Sequence, residues 1–309
     1  MSLITQLVLQ TVGVGTPALL AAHLQLGKLG GAAWTWPTYI IVPLVATGVL
    51  YLVGVFKMQR KGSAPRGLLI LSFVAGWGAL LLALDSPIHE LSEQLFWVHM
   101  TQHEILMLVA APLLVLGRPL VPFLWALPSG SREAVAGVMR STPVKRTWFA
   151  VSAPLTAWLL HAAALWLWHA PALFAATLRS DAIHAAQHIS FLGTALLFWW
   201  TLLENHGRRL GYGVAVLYVF TTTIHTSVLG ALLTFSSRPW YSPYFLTAPA
   251  WHISALEDQQ IGGLIMWIPA GTLLTIIALV LLVKWLQDSQ QRWEYTRTAE
   301  LIRASRSGA

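Results

Sequence analysis

Long apolar runs separated by short polar loops are the main feature of this chain. A run of about 18 apolar residues crosses a hydrocarbon core of about 30 Å as a helix, because each residue adds about 1.5 Å. The runs that qualify fall at 37–56, 67–84, 95–117, 148–168, 182–203, 211–235 and 261–283. They predict an all-α integral membrane protein, built as a bundle of seven transmembrane helices.

These runs divide the chain into three regions. Residues 37–283 form the predicted seven-helix transmembrane domain. Residues 1–36 are an apolar N-terminal segment, which is signal-like, interfacial or re-entrant and lacks the basic start typical of a secretory signal. Residues 284–309 form a basic tail that is expected to be partly helical and cytoplasmic.

Prolines lie inside several of the apolar runs, among them Pro112, Pro154 and Pro269. Neighbouring helices can satisfy the carbonyl group that a proline leaves unpaired. The interruptions are therefore compatible with helices that cross the membrane.

Basic residues indicate the orientation of the bundle. Of the 19 lysines and arginines, 16 lie in the first, third and fifth loops and the tail. Because basic residues accumulate on the cytoplasmic side, the N-terminus is predicted outside and the C-terminus inside. The net charge of +7 is then explained by topology and by contact with anionic membrane lipid, which argues against a nucleic-acid partner.

The composition agrees with a membrane protein and limits its chemistry. Hydrophobic residues make up 56% of the chain and charged residues only 10%, whereas about 25% of the residues are charged in an ordinary soluble domain. The chain has no cysteine, which excludes disulfides, thiol redox couples and thiolate metal sites. A bound metal would therefore need histidine, methionine or carboxylate ligands.

Two histidine pairs occur at the predicted outer ends of different spans. His99 and His103 open the third span, and His184 and His188 open the fifth. Residues four apart share one helix face, so each pair presents two imidazoles to the same side. Imidazole is a common ligand of copper, zinc and iron. We therefore predict a metal or haem site in the outer leaflet, with these four histidines as metal ligands.

Other side chains lie near the same ends of the spans. Asp258 shares a helix face with Gly262 and Met266, and we predict that its carboxylate is a further metal ligand. Met107 continues the face of His103 one turn deeper. The two methionines are expected mainly to pack, although a thioether also binds Cu(I).

The remaining histidines have simpler interpretations. His161 and His225 lie within spans, where hydrogen bonds between helices explain them as well as metal binding does. His89 and His252 lie in loops, where solvation is sufficient to explain them. A single histidine at a membrane interface can also be an amphipathic anchor, so the prediction depends on the paired arrangement.

Glu104 lies inside the third span. An ionisable group within a membrane is costly unless it is paired, protonated or hydrated, so a functional role is the default interpretation. The first hypothesis is a hydrogen bond to a ligand imidazole, and the second is a carboxyl group that relays protons.

Four segments resemble one known family. They are HMTQHEILMLVAAPLLVLGRP at 99–119, LWLWHAP at 165–171, HAAQHISFLGTALLFWW at 184–200 and DQQIGGLIMWIPAG at 258–271. Together and in this order they resemble the CtaG-type (caa3-type) cytochrome c oxidase assembly factors, which are seven-span membrane proteins of bacteria. The likeness runs from about Trp36 to Leu282.

The resemblance implies a non-enzymatic, multi-pass protein of the bacterial inner membrane that helps copper reach the catalytic subunit of a haem-copper oxidase. Copper is then the expected cofactor, and oxidase subunits and membrane lipid are the expected partners. The family's patterned positions found here are His99, Gln102, His103, His169, His184, His188, Asp258 and Gln259. The positions expected to support the bound cofactor without being metal ligands are Gln102, Glu104, His169 and Gln259.

Two other functions remain open. The chain could be a membrane redox protein that holds b-type haem between a histidine of the first pair and one of the second. It could also be a transporter or a membrane hydrolase, although the sequence has no convincing nucleophile and base, and the first two spans have few polar side chains.

Overall fold

The computed structural model describes residues 38–204 and 210–307. The predicted N-terminal segment 1–36 lies outside the described residues, as do Arg208 and Arg209 of the fifth loop. Helices account for 86% of the described residues, and no strand occurs among them. The prediction of an all-α protein is therefore confirmed.

The helices follow one another with short connections. In chain order they are α1 (Thr38–Arg60), α2 (Gly67–Asp85), α3 (Pro87–Ser92), α4 (Phe96–Glu104), α5 (Ala111–Gly117), α6 (Leu120–Ala126), α7 (Ser129–Arg140), α8 (Thr142–Val151), α9 (Pro154–Trp168), α10 (Pro171–Thr177), α11 (Asp181–Leu203), α12 (Tyr212–Thr234), α13 (Tyr244–Thr247) and α14 (Ala255–Ser307). A π-helical turn (Ile105–Ala110) joins α4 to α5, and a 3-10 turn (Ala248–Trp251) follows α13.

Among the described residues, six helical segments are long and apolar enough to cross a membrane. They are α1, α2, the run from α4 through α5, α11, α12 and α14, and they correspond to all the predicted spans except the fourth. The chain is therefore a multi-pass membrane protein.

The fourth predicted span is divided into two helices. α8 and α9 are bent by 62° at the break between them, and they add a seventh span if the pair is counted as one. Pro154, predicted inside the span, instead begins α9. Proline has no N–H to donate and its φ suits the first turn of a helix, so a helix readily starts there.

α14 extends beyond the predicted seventh span, running without a break for 53 residues. Pro269 lies inside it. Small residues allow α14 to pack closely on α12, since a Cβ atom on Gly263 would lie 2.8 Å from the carbonyl oxygen of Gly230. Such small residues are typical of helix contacts in membranes.

The π-helical turn interrupts the third span between α4 and α5. In a π-helix each carbonyl pairs with the N–H five residues later, as the Leu106 carbonyl does with the N–H of Ala111. The corresponding partner of the Met107 carbonyl is Pro112, which has no N–H. The indole N–H of Trp199 donates to the Met107 carbonyl instead, at 2.8 Å. This bond holds α11 against the middle of the third span.

The two ends of the bundle differ in chemistry. The chain reversals before α4, α11 and α14 lie at one end, which we call the histidine end. The opposite end carries Arg118, whose guanidinium makes two 2.8 Å hydrogen bonds to Glu204, and Lys57, which donates to the carbonyl of Ala126. The predicted separation of histidines from basic residues therefore agrees with the fold, and the orientation in the membrane stays a prediction.

Candidate metal site

The two predicted histidine pairs come together at the histidine end. α4 carries His99 and His103, and α11 carries His184 and His188. The ring centroids of His99 and His184 are 5.1 Å apart, and those of His103 and His188 are 5.4 Å apart. All four side chains are buried. The two pairs therefore converge between neighbouring spans.

Three of these histidines are close enough to hold one metal ion. Ligand atoms of His99, His103 and His188 all lie within 4.8 Å of one another, and we call these residues the inner triad. Within the described ranges, neither ring nitrogen of His103 nor Nε2 of His188 has a hydrogen-bond partner. Buried nitrogens without partners are uncommon because their desolvation is not compensated. A metal ion would supply the partner, so the donor set fits one.

Polar groups on other elements orient His99. Its Nδ1 lies 3.3 Å from both the Ser92 carbonyl and the Tyr244 hydroxyl, and its Nε2 lies 3.3 Å from Oε1 of Gln187. The Tyr244 hydroxyl donates to the Ser92 carbonyl at 2.9 Å. A metal-bound histidine commonly donates its other ring N–H to a carbonyl group. The Ser92 carbonyl is placed to accept such a bond from His99.

His169 lies beside the inner triad. Its ring centroid is 6.5 Å from that of His103, and its Nδ1–H donates to the Leu165 carbonyl at 2.7 Å. That bond leaves the lone pair on Nε2, which is buried without a partner in the described part of the chain. Burial lowers the pKa of His169 to about 4, so its ring is neutral near pH 7.

Asp258 caps a helix at the edge of the site. Its two carboxylate oxygens accept the backbone N–H groups of Phe96 and Trp97 at 2.8 and 2.9 Å. Carboxylates suit this position because the first N–H groups of a helix have no partner within it. Asp258 belongs to neither of the two groups of potential metal ligands among the described residues. The structure thus places it as the cap of α4, and its predicted ligand role has no contact to support it.

Gln259 is also used in packing. Its Oε1 accepts the backbone N–H of Trp240 at 2.6 Å, and its Nε2 donates to the Leu233 carbonyl at 3.3 Å. These bonds join α14 to the end of α12 and the segment that follows it. The side-chain amide of Gln259 is therefore used to join elements of the fold, and any effect of Gln259 on the predicted cofactor site is indirect.

Glu104 faces a different part of the interior. With Met107, His161 and Met266 it lines a cavity of about 30 Å³. Its Oε2 is buried, and in the described chain no hydrogen bond joins Glu104 to an imidazole. No contact therefore supports the hypothesis that Glu104 makes a hydrogen bond to a ligand imidazole. Met107, which lies in the π-helical turn, also lines this cavity.

The two histidines within spans are separate from the triad. Nδ1 of His161 lies 3.1 Å from the hydroxyl of Thr194 on another helix, as the hydrogen-bonding interpretation predicts. His225 packs edge-on against Trp158, with ring centroids 5.4 Å apart.

The structure adds residues that the sequence analysis did not select. The ring of His89, interpreted as a solvated loop residue, stacks on His184 with centroids 5.4 Å apart. Gln102, the predicted cofactor contact, places its Nε2 3.1 Å from Nδ1 of His89. Ligand atoms of His89, Glu93 and His184 all lie within 4.8 Å of one another, and we call these residues the outer triad. The four-residue spacing of His89 and Glu93 is the sequence signal that could have identified these two residues of the outer triad.

The fold and the site define a multi-pass helical membrane protein with a buried imidazole cluster at one end of its bundle. Residues 49–288 match the family described as cytochrome c oxidase caa3 assembly factor (Caa3_CtaG), and the chain belongs to this family. The resemblance found in the sequence is thereby confirmed. The family description names cytochrome c oxidase assembly as the role of its members.

Similar proteins occur in mycobacteria. Uncharacterized proteins of Mycobacterium bovis, Mycobacterium tuberculosis and Mycobacterium leprae are each 27% identical to this chain over 269 residues. The match covers 84% of this chain but only 40% of each relative, so the chain spans about two fifths of the length of these curated relatives. No solved structure matches the chain.

Proposed function

We propose that the protein binds copper at the inner triad and assists its delivery to the catalytic subunit of a haem-copper oxidase, at the outer face of the bacterial inner membrane. The observation that carries this proposal is the convergence of three buried imidazoles from two helices. Family membership supports the oxidase as the client. The protein handles a metal ion and catalyses no reaction.

The donor set is suited to a metal that has to be released again. At a nitrogen site copper binds more tightly than zinc, which favours copper as the occupant. Three neutral imidazoles leave the charge of the ion uncompensated in a buried site, which limits the affinity. A client protein with a more complete set of ligands can therefore remove the ion.

The geometry favours a single ion over the alternative of b-type haem. Two axial histidines direct their nitrogens at each other across the macrocycle. The rings of His99 and His184 instead stack face to face, with 18° between their planes. Within α4, the rings of His99 and His103 are 4.4 Å apart. Rings that contact one another have no macrocycle between them, and this supports the proposal of a single ion.

The test removes one ligand from each helix of the inner triad. We expect the combination of His103→Ala and His188→Ala to leave the protein inserted, because loss of imidazoles makes the ends of the spans more apolar. The purified variant should carry less copper than the wild type by elemental analysis. Oxidase from the same cells should contain haem but less copper. His225→Ala is the matched control, since its ring nitrogens are also buried and it belongs to neither triad.

Excess copper in the growth medium should partly restore oxidase activity to cells with the double variant, because occupancy depends on the metal concentration relative to the dissociation constant. A scaffold that only holds oxidase subunits together would show no such rescue. Normal copper content and normal oxidase activity in the double variant, at an unchanged protein level, would contradict the proposal.

A further inference from the structure

The outer triad has the chemistry of a second metal site. It combines two imidazoles with one carboxylate, a ligand set that suits divalent transition-metal ions. Glu93 is exposed and His89 is half-buried. His184 is only 5% exposed, and its Nε2 has no hydrogen-bond partner among the residues described. The group therefore reaches from the surface to a buried nitrogen that lacks a partner.

The outer triad lines a cleft of about 620 Å³ between α1, α2 and α11. Glu90 and Asp181 add two further carboxylates to its wall, and none of the described lining residues is lysine or arginine. Charges of one sign around a cleft with low-dielectric walls raise the local concentration of ions of the opposite sign. The cleft is therefore built to attract cations.

α11 connects the outer triad to the inner one. His184 belongs to the outer triad and His188 to the inner triad, and their ring centroids are 4.3 Å apart. His184 stacks on His89 at 5.4 Å and on His99 at 5.1 Å, one ring from each triad. His188 also lines the cleft. An ion bound to His184 in the outer triad is thus close enough to the inner triad to exchange a ligand of one triad for a ligand of the other.

We propose that the outer triad is a loading site, which takes a divalent transition-metal ion from the cleft and passes it to the inner triad. The ion exchanges its bonds to Glu93 and His89 for bonds to His99, His103 and His188, through His184 between them. Its charge is unchanged, so the transfer needs no electron donor. This inference rests on the proposed function of the inner triad and adds the route by which the ion arrives.

The two triads divide the work between them by charge. The carboxylate of Glu93 offsets the charge of the incoming ion while that ion is still near water. The inner triad offers only neutral imidazoles, which hold the ion where it is shielded from solvent. Moving the fully hydrated ion directly into the buried site would carry the whole cost of its desolvation in a single step. Capture at the charged, exposed site followed by transfer to the neutral, buried site divides this cost between two steps.

The first experiment isolates the outer triad. Cu²⁺ alone is added to the detergent-purified full chain carrying His103→Ala and His188→Ala, unbound ion is removed, and bound copper is measured by electron paramagnetic resonance and elemental analysis. We expect one weakly bound equivalent. Adding Glu93→Gln, which keeps the side-chain shape and removes its charge, should weaken this binding by more than the roughly 10- to 100-fold seen when an outer-shell partner is lost.

Glu90→Gln is the matched control. It removes the same charge from the same cleft, but Glu90 is outside the outer triad. The equivalent should therefore survive Glu90→Gln in the same background. Equal effects of the two substitutions would show that the cleft attracts cations only through its net charge, and would overturn the loading site.

The second experiment tests the route with both triads present. At limiting Cu²⁺, Glu93→Gln should slow filling of the inner triad at least about tenfold, which is the lower end of the loss of metal affinity when an outer-shell partner is removed. The final copper content of the inner triad should stay unchanged. Glu90→Gln should slow filling far less. If the inner triad fills equally fast in the wild type, Glu93→Gln and Glu90→Gln, the loading proposal fails and the proposed function of the inner triad still stands. If the wild type holds no copper that His103→Ala with His188→Ala removes, the proposed function of the inner triad fails instead.

Discussion

The histidines of the cluster differ in what holds each ring in place. His99 and His169 are oriented by the backbone carbonyls of Ser92 and Leu165. His103 makes no hydrogen bond in the described chain, and its ring packs edge-on against Phe191 at 4.7 Å. Aromatic packing restricts rotation less specifically than a hydrogen bond does. A bound ion would therefore change the position of the His103 ring more than those of His99 and His169.

Asp258 provides a test of capping against metal binding at the residue scale. Asp258→Ala leaves two buried N–H groups of α4 without partners, so we expect it to lower the free energy of unfolding by about 1–3 kcal/mol. Copper bound per folded protein should stay unchanged. Asp258→Asn keeps one acceptor oxygen and should cost less. Thermal unfolding in detergent and elemental analysis measure the two effects, and loss of copper without loss of stability would identify Asp258 as a ligand after all.

At the scale of helices, the third span changes its helical repeat directly after Glu104, where the π-helical turn starts. The turn has more residues per turn than an α-helix, so the side chains beyond it lie rotated about the axis relative to those of α4. Met107 lies within the turn, four residues after His103, and lines the cavity of Glu104. α4 directs both of its histidines at α11.

The bond between Trp199 and the π-helical turn can be measured by a double-mutant cycle. Trp199→Phe leaves the Met107 carbonyl without a donor and should lower the free energy of unfolding by about 1–3 kcal/mol. Pro112→Ala supplies an N–H five residues after Met107, so Trp199→Phe should cost less in that background.

Trp200→Phe is the control for this cycle. The indole of Trp200 packs edge-on against Trp148 with ring centroids 5.6 Å apart. Trp200→Phe should therefore change the free energy of unfolding by the same amount with proline or alanine at position 112. Chemical or thermal unfolding of the four proteins in detergent gives the coupling. A coupling of zero would mean that Trp199 stabilises the bundle by packing alone.

At the scale of the whole molecule, both triads lie at the end of the bundle opposite the ion pair of Arg118 and Glu204. A role in loading copper outside the cell membrane requires the histidine end to face outward. The distribution of basic residues predicts this orientation. The function and the topology are thus linked, and one experiment on topology tests both.

The absence of cysteine from the chain allows a clean labelling experiment. Single substitutions Ser237→Cys, at the histidine end, and Ser131→Cys, in α7, place a thiol in an exposed position at each end. A membrane-impermeant maleimide added to intact cells without an outer-membrane barrier should label only the first protein. The second should react only after lysis. Labelling of both from outside would contradict the predicted spans, and the reverse pattern would contradict the outward-facing triads.

The sequence alone determined the features that depend on short-range periodicity. Apolar runs long enough to cross a membrane became helices because a backbone in lipid must satisfy its own hydrogen bonds. The four-residue spacing of His99 and His103, and of His184 and His188, placed each pair on one helix face for the same local reason.

Only the tertiary structure decided what each helix face meets. The adjacency of α4 and α11 brings the two histidine pairs together, and α3 with its C-cap adds His89 and Glu93 to the cluster. The same packing turns Asp258 toward the first N–H groups of α4 and places Met107 in the cavity of Glu104. These outcomes depend on contacts between residues far apart in the chain, such as Trp199 with Met107. The pattern along one helix does not encode such contacts, because the neighbours of a face are chosen by the packing of the whole bundle.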